Sequence, residues 1–382
     1  MIFVKILQII PGADSFRVFL RELTQALIDD GHEVLTLFNP GGGISNQPVD
    51  GPGEIRHVNF PRGASPIKHL AVSREVRKII QDYRPDVVHA HFSSAILTAS
   101  LARLGGDCGA CWLATFQGIQ FPFASGLNGL LIKASETFAA SQMDQVIVLT
   151  KDDHEALSDC LLAVKVTLQK SSGFGCHDRF FDTPIPSSEA RQKLRSELRL
   201  SSEDRVFLFI GRIIAHKGFH LAARAFMEAS KNCPDIRWIV IGERDPLHPT
   251  GLTDGEWSDF EQHPSVRFVG IQDDVLPYLD IADALLFPTA REGMPVSAME
   301  ALARRVPVLT NKVRGCRELI RDGENGAFFK SADVEAIKRV IESFNPSSFT
   351  MSHSPSHAPR AAMRRSNWIK ETIDLYENGG SV

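Results

Sequence analysis

No apolar run in this 382-residue chain reaches the roughly 18 residues that a membrane-spanning helix needs, so a helical span is excluded. Charge of one sign is also lacking. Lys and Arg total 42 against 46 Asp and Glu, a formal net charge of -4, and no global field draws the chain to nucleic acid. The start, MIFVKILQII, has no positive n-region and runs into a turn; it reads as a buried first strand, not as a signal peptide. Cysteine is sparse: the thiols at 108, 111, 160, 176, 233 and 316 make no disulfide framework and suit a reducing cytoplasm. Cys108 and Cys111 form a C-x-x-C, but GGDCGACW is a glycine-rich turn running into a strand, without the second half of a zinc site. No Asp-x-Asp, no G-x-G-x-x-G and no nucleophile elbow occurs. These gaps argue against a metal-bridged diphosphate of that type, a dinucleotide fingerprint and a Ser-His-Asp hydrolase.

What is present is an ordinary globular composition, 43% hydrophobic and 23% charged, enough for two domains at about 150 residues each. Short apolar runs at Val4–Ile10, His32–Phe38, Val87–His89, Trp112–Phe116 and Gln145–Leu149 alternate with helical patterns at Ser15–Asp30 and Lys68–Tyr83. A less periodic stretch covers Lys170–Ser202. The alternation then reopens, with strands at Val206–Ile210, Trp238–Ile241, Val266–Val269, Ala284–Phe287 and Val306–Thr310, and helices at Phe219–Lys231 and Pro295–Arg304. Strands apolar on both faces, spaced by helices, predict parallel sheets in βαβ units. The expected architecture is α/β: two Rossmann-like doubly wound domains facing a central cleft, with ligands beyond the carboxyl ends of the strands. The boundaries read as 1–172 and 173–365, with Ser366–Glu377 a helix returning to the first domain. Asn345–Pro359, with five Ser and three Pro, reads as a mobile loop.

Two segments carry chemistry. In ALLFPTAREGMPVSAMEALARRVPVL a buried strand ends near Pro288, and a loop holds Glu292 and Gly293. Pro295 suits a first helical turn, and Glu300 falls on the second. Free backbone N–H groups there suit a phosphate or sugar, and the two carboxylates could grip two parts of one ligand. On spacing alone, two solvated glutamates beside a helix start fit equally well. In RVFLFIGRIIAHKGFHLAARAF a strand ends at Gly211, and Arg212 and Lys217 precede the helix that Gly218 opens. Two cations at a strand end suit a diphosphate, doing what Mg²⁺ does elsewhere. A solvated basic loop is the plain alternative. Gly12, after the first strand, is the residue of that loop able to admit a close backbone approach. His89 and His91 end a strand and read as structural.

These segments together resemble the retaining GT-B glycosyltransferases of family 4. The resemblance covers nearly the whole chain. It is carried by the Glu292–Glu300 E-x7-E pair, GRIIAHKG, RPDVVHAH, SSGFGCHDRFF and VRGCRELIRDGENGAFF. The last two, with IGERDP, are similar to the capsule and lipid-linked-oligosaccharide branch. The resemblance implies that Arg212 and Lys217 hold a donor diphosphate and Glu300 the ribose hydroxyls. Glu292 and the backbone of Gly293, Met294, Pro295 and Val296 would face the transferred sugar, and Val269–Ile271 would meet the base through main-chain atoms. It implies metal-independent transfer, without a cofactor, of a hexose or N-acetylhexosamine from a UDP-sugar to a lipid-linked or cell-surface glycan. Two departures stand out: Gln117 replaces a histidine common near the donor sugar, and Gly12-Ala13 replaces a Gly-Gly. Gln117 keeps hydrogen bonding but cannot act as a base.

Glu54–Arg84 holds seven Lys or Arg against three Asp or Glu, and FQGIQFPFASGLNGLLIK follows with Phe and Leu. Basic and apolar residues together suit an anionic membrane surface, hence peripheral binding at the inner face; a solvated helix face with ordinary core residues is the alternative. The competing functions are a non-hydrolysing sugar-nucleotide epimerase and a non-catalytic sugar-nucleotide-binding subunit. The first would consume donor without acceptor, and the second has only Gln117 in its favour.

Overall fold

The computed structural model describes residues 3–41, 50–61, 63, 65–106, 108–161, 163–245, 248–349, 351 and 360–378. Residues 350 and 352–359, most of the expected mobile loop, lie outside that set. The chain divides into two compact units, Met1–Phe174 with Ser366–Val382, and Gly175–Arg365. The crossing falls two residues beyond the expected 172/173 boundary because Phe174 stacks on Phe19 at 4.6 Å and meets Trp368 edge-on at 4.9 Å, both in the first unit.

The first unit is a seven-stranded parallel sheet: β1 (Lys5–Gly12), β2 (Glu33–Asn39), β3 (Glu54–His57), β4 (Val87–His91), β5 (Cys111–Phe116), β6 (Gln145–Val148) and β7 (Lys165–Leu168). Its order is β3-β2-β1-β4-β5-β6-β7, with Ile6 opposite Val34 on one side and Val87 on the other. The period of two is plain in β1. Leu7 and Ile9 enter one core while Ile6 and Ile10 enter the other, so both faces are covered; the polar residue between them, Gln8, is buried with its Oε1 accepting from the Thr24 and Thr36 hydroxyls. Trp368, Leu375 and Tyr376, from the helix Arg365–Glu377, are buried in the second of these cores.

The second unit repeats the scheme with β8 (Arg205–Ile210), β9 (Ile236–Ile241), β10 (Val266–Gly270), β11 (Ala284–Phe287), β12 (Val308–Thr310) and β13 (Gly326–Phe328), in the order β10-β9-β8-β11-β12-β13. Val206 and Leu208 face one core, Phe207 and Phe209 the other. In each unit the order reverses once, between β1 and β4 and between β8 and β11, and ligands gather beyond the carboxyl ends of strands at such switch points. Every interior strand was legible as an apolar run. The strands that the sequence reading omits, β3, β7 and β13, are sheet edges, three or four residues long and largely half-exposed. The expected first helix is also interrupted, by a π-helical turn at Phe16–Leu20 immediately after Gly12 and Ala13–Ser15. No helix among the described residues is long and apolar enough to cross a membrane.

Candidate active site

The site grows from the switch point of the second unit, where the segments after β8 and β11 meet. Gly218 makes that meeting possible: its φ of 73° lies in the left-handed region, and a Cβ there would sit 1.8 Å from the Pro288 carbonyl oxygen. The segment after β11 is tied down from the next strand's loop. Asn311 Nδ2 donates to the carbonyls of Pro288 and Thr289 at 2.9 and 3.0 Å, and Arg314 Nε donates to that of Glu292 at 3.2 Å. Gly315 lies so close that a Cβ would be 2.0 Å from the Gly293 carbonyl oxygen.

This scaffold brings Lys217 and Glu292 together across 75 residues. Lys217 Nζ donates to Glu292 Oε1 at 2.5 Å, and Thr289 Oγ1 donates to the same oxygen at 2.8 Å. Both ends of the ion pair are largely buried. Arg212 Nη1 donates to Asp245 Oδ2 at 2.8 Å, so each cation of the loop is already held by a carboxylate. Beyond Glu292 the chain turns into the helix Val296–Ala303, with Pro295 as its N-cap. Among the described residues, the N–H groups of Gly293, Met294 and Val296 donate to no protein group. Three unspent donors at a helix start next to a lysine are the kind of arrangement that suits an anion. His216, beside Lys217, is held neutral: burial first, then the charges of Lys217, Arg212 and Arg291, push its pKa down to about 4.

Glu300 sits one turn into the helix Val296–Ala303. Burial pushes its carboxyl up to about 7, against the opposing pull of Arg365 and Arg179. Ile271, just past β10, is exposed. The neighbouring carbonyls are partly engaged, Val269 accepting from Gln272 Nε2 at 2.7 Å and Gly270 from the Gly242 amide at 2.9 Å.

The other two expected residues belong to the first unit. Gly12 closes β1, and a Cβ there meets no protein atom within 4 Å. Gln117 follows β5, with its Nε2 buried and without an acceptor among the described residues. Glu136, a buried carboxylate that sequence reasoning passed over, organises this loop by accepting from Ser93 Oγ and from the amides of Gln120 and Phe121. His89 is locked between Tyr376 Oη and Thr115 Oγ1, both at 2.7 Å, and burial holds His89 and His91 neutral. Asp245, Asn311 and Arg314 were likewise missed. Asp245 lies in IGERDP and Arg314 in VRGCREL, motifs whose individual residues no spacing argument could assign.

Two doubly wound parallel sheets, each with a single switch point, make an α/β fold of the GT-B type. The overall fold matches a sucrose-phosphate synthase from Thermosynechococcus elongatus at a TM-score of 0.78 with 18% identity, covering 98% of each chain. Residues 16–166 match the family model described as glycosyl transferase 4-like domain, and residues 190–352 match glycosyl transferases group 1. The chain belongs to the glycosyltransferases, of the GT-B, family-4 kind. Among curated relatives, a putative glycosyltransferase EpsD from Bacillus subtilis is 26% identical over 313 residues, 81% of each chain. The UDP-Gal:alpha-D-GlcNAc-diphosphoundecaprenol alpha-1,3-galactosyltransferase of Escherichia coli is 24% identical over 287 residues, 73% of this chain and 71% of its own.

Proposed function

We propose that this protein transfers a hexose or N-acetylhexosamine from a UDP-sugar to a lipid-linked or cell-surface glycan, with retention of configuration and without a metal ion. The observation that carries the reading is the Lys217–Glu292 pair beside the unspent amides of Gly293, Met294 and Val296. Arg212 and Lys217 receive the diphosphate. As the nucleotide leaves, negative charge grows on it and the sugar becomes oxocarbenium-like; the two cations and the helix start stabilise the leaving group, the role a divalent ion fills elsewhere. Glu292 faces the transferred sugar as a hydrogen-bond acceptor, and Glu300 accepts from the ribose hydroxyls. Gln117 and Gly12 are assigned to the donor sugar and acceptor side. The relative that acts on a diphosphoundecaprenol acceptor supports a lipid-linked substrate.

The test is thermal shift against UDP-, GDP- and dTDP-sugars in chelator. At a hundred times the dissociation constant a ligand adds about 2.7 kcal/mol, a shift of a few degrees. A shift with UDP-sugars that Lys217→Ala removes is expected; a shift that survives the substitution would sink the site assignment. Transfer assays with a polyprenyl-diphosphate glycan then test the acceptor.

A lipid-linked acceptor requires approach to a membrane, and we assign that contact to the first unit, at the inner face. Ile67 and Leu70 on the helix Pro66–Tyr83, and Leu127, Leu130 and Leu131 on the helix Gly126–Ser141, are exposed, with Lys68 and Lys133 beside them. Each exposed cation near an anionic surface contributes about 1 kcal/mol. Co-sedimentation with anionic vesicles at low salt, weakened by Leu130→Ser with Leu131→Ser, is the expected result; no co-sedimentation of the wild type would refute it.

A further inference from the structure

The first sheet has its own switch point, between β1 and β4, and two loops lie on its β4 side: one leaves β4 at His91, the other leaves β5 at Phe116. We propose that Glu136, from the helix Gly126–Ser141, is the positioning residue that fixes both loops, and that sugar transfer depends on it while nucleotide binding does not. The inference rests on the proposed function, which gives the Gln117 loop to the donor sugar and acceptor side.

Glu136 is 4% exposed, and a carboxylate that deep is retained where donors meet it. Three do, and they come from both loops. Ser93 Oγ, just past β4, donates to Oε1 at 2.8 Å. The Gln120 amide donates to Oε2 at 2.9 Å, with a longer contact of 3.2 Å to Oε1, and the Phe121 amide donates to Oε2 at 3.1 Å. One buried carboxylate thus joins the loop after β4 to the loop after β5. Gln117 opens the second of these. From it the chain turns at Gly118, φ 114°, buries Ile119 in the core and reaches the two amides. The Gln117 turn is therefore anchored on one side by β5 and on the other by Glu136.

The second, independent observation is Phe92. It stands between β4 and the helix Ser93–Arg103 with φ 68° and ψ 145°, a conformation open to glycine and strained for phenylalanine. Such strain persists where the surroundings fix the backbone on both sides. The Phe92 amide donates to the Thr115 carbonyl at 3.1 Å, and its carbonyl accepts from the Ile96 amide at 3.0 Å. The next side chain, Ser93, is the one that Glu136 holds. Strained residues gather where a loop must present its groups in a single arrangement, and this one borders the switch point.

Two variants of the full-length protein test the role: Glu136→Gln, which keeps the shape and one acceptor oxygen, and Glu136→Ala, which keeps neither. Amide exchange over residues 117–123, read by mass spectrometry, is expected to quicken several-fold in Glu136→Ala and less in Glu136→Gln. Transfer from a UDP-sugar to a polyprenyl-diphosphate glycan is then followed, with kcat referred to the folded fraction by circular dichroism. In Glu136→Ala kcat is expected to fall roughly ten- to a hundred-fold, the scale of a misplacement of about 1 Å, and less in Glu136→Gln. KM for the glycan rises, while the thermal shift produced by UDP stays at its wild-type value. If Glu136→Ala does not fold, Glu136→Gln carries the same comparison. Unchanged exchange in the variants, wild-type kcat and glycan KM despite faster exchange, or a loss of UDP binding that matches the loss of transfer overturns the proposal. A wild type that binds UDP-sugars but transfers to no glycan refutes the proposed function and this role with it; a wild type whose transfer both variants equal refutes this role alone.

Discussion

Glu300 is the residue whose chemistry is set most visibly by its surroundings. Its carboxyl titrates near 7 in the folded protein against 4.5 for a free glutamate, with burial the first cause. The sign of the linkage follows. Below about pH 4.5 the side chain is neutral folded and unfolded, and it has no effect. Between about 4.5 and 7 the unfolded chain ionises first, so stability falls as pH rises. Above 7 the penalty is complete, up to about 3 kcal/mol. Glu300→Gln is therefore expected to raise the melting temperature at about pH 8 and leave it unchanged at about pH 4, read by calorimetry at both values. The same carboxyl accepts better when ionised, so on the proposed reading UDP-sugar affinity rises from pH 6 to about pH 8 in the wild type and is flat in the variant. A UDP-sugar suits the experiment because its diphosphate, esterified at both ends, does not titrate in this window.

Among elements, the loop from Pro288 to Pro295 owes its path to glycines on neighbouring segments more than to its own sequence. Gly218→Ala places a Cβ on the Pro288 carbonyl oxygen and strains a left-handed backbone, each costing on the order of 1–3 kcal/mol. Loss of nucleotide-dependent thermal shift with the fold retained is the expected outcome, measured by circular dichroism beside the shift assay. Glu292 and Glu300, and likewise Arg212 and Lys217, could be placed on their elements from sequence because each pair lies within one strand–loop–helix unit, where distance along the chain dictates distance in space. Buried strands such as β8 and β11 were legible for a related reason, since a run that is apolar on both faces has only one parallel-sheet environment to occupy. The edge strand β13 was not, because Gly326–Phe328 is too short to display a period. Nor was the partner of Arg212. Asp245 arrives from the segment after β9, and a pairing across 33 residues is decided by packing, not by pattern.

At the scale of the whole molecule the two units are built alike and closed differently. The second is a continuous segment; the first is completed by the helix Arg365–Glu377, whose Trp368, Leu375 and Tyr376 sit in the core with Phe16, Leu20 and Phe174. Trp368→Ala removes an indole that is 3% exposed and is expected to cost about 3–5 kcal/mol, lowering the thermal transition of the first unit. Nucleotide binding, assigned to the second unit, should be untouched below that transition.

The discontinuity has a consequence in time. During synthesis at about 5–20 residues per second, the residues between Phe174 and Ser366 take roughly 10–40 s to emerge, and for that interval the first sheet stands with part of one side of its core uncovered. The second unit can condense on the ribosome while the first still waits for Trp368. The nascent chain thus presents Phe16, Phe19 and Phe174 to whatever chaperone is near, and the arrival of the helix Arg365–Glu377 ends that exposure.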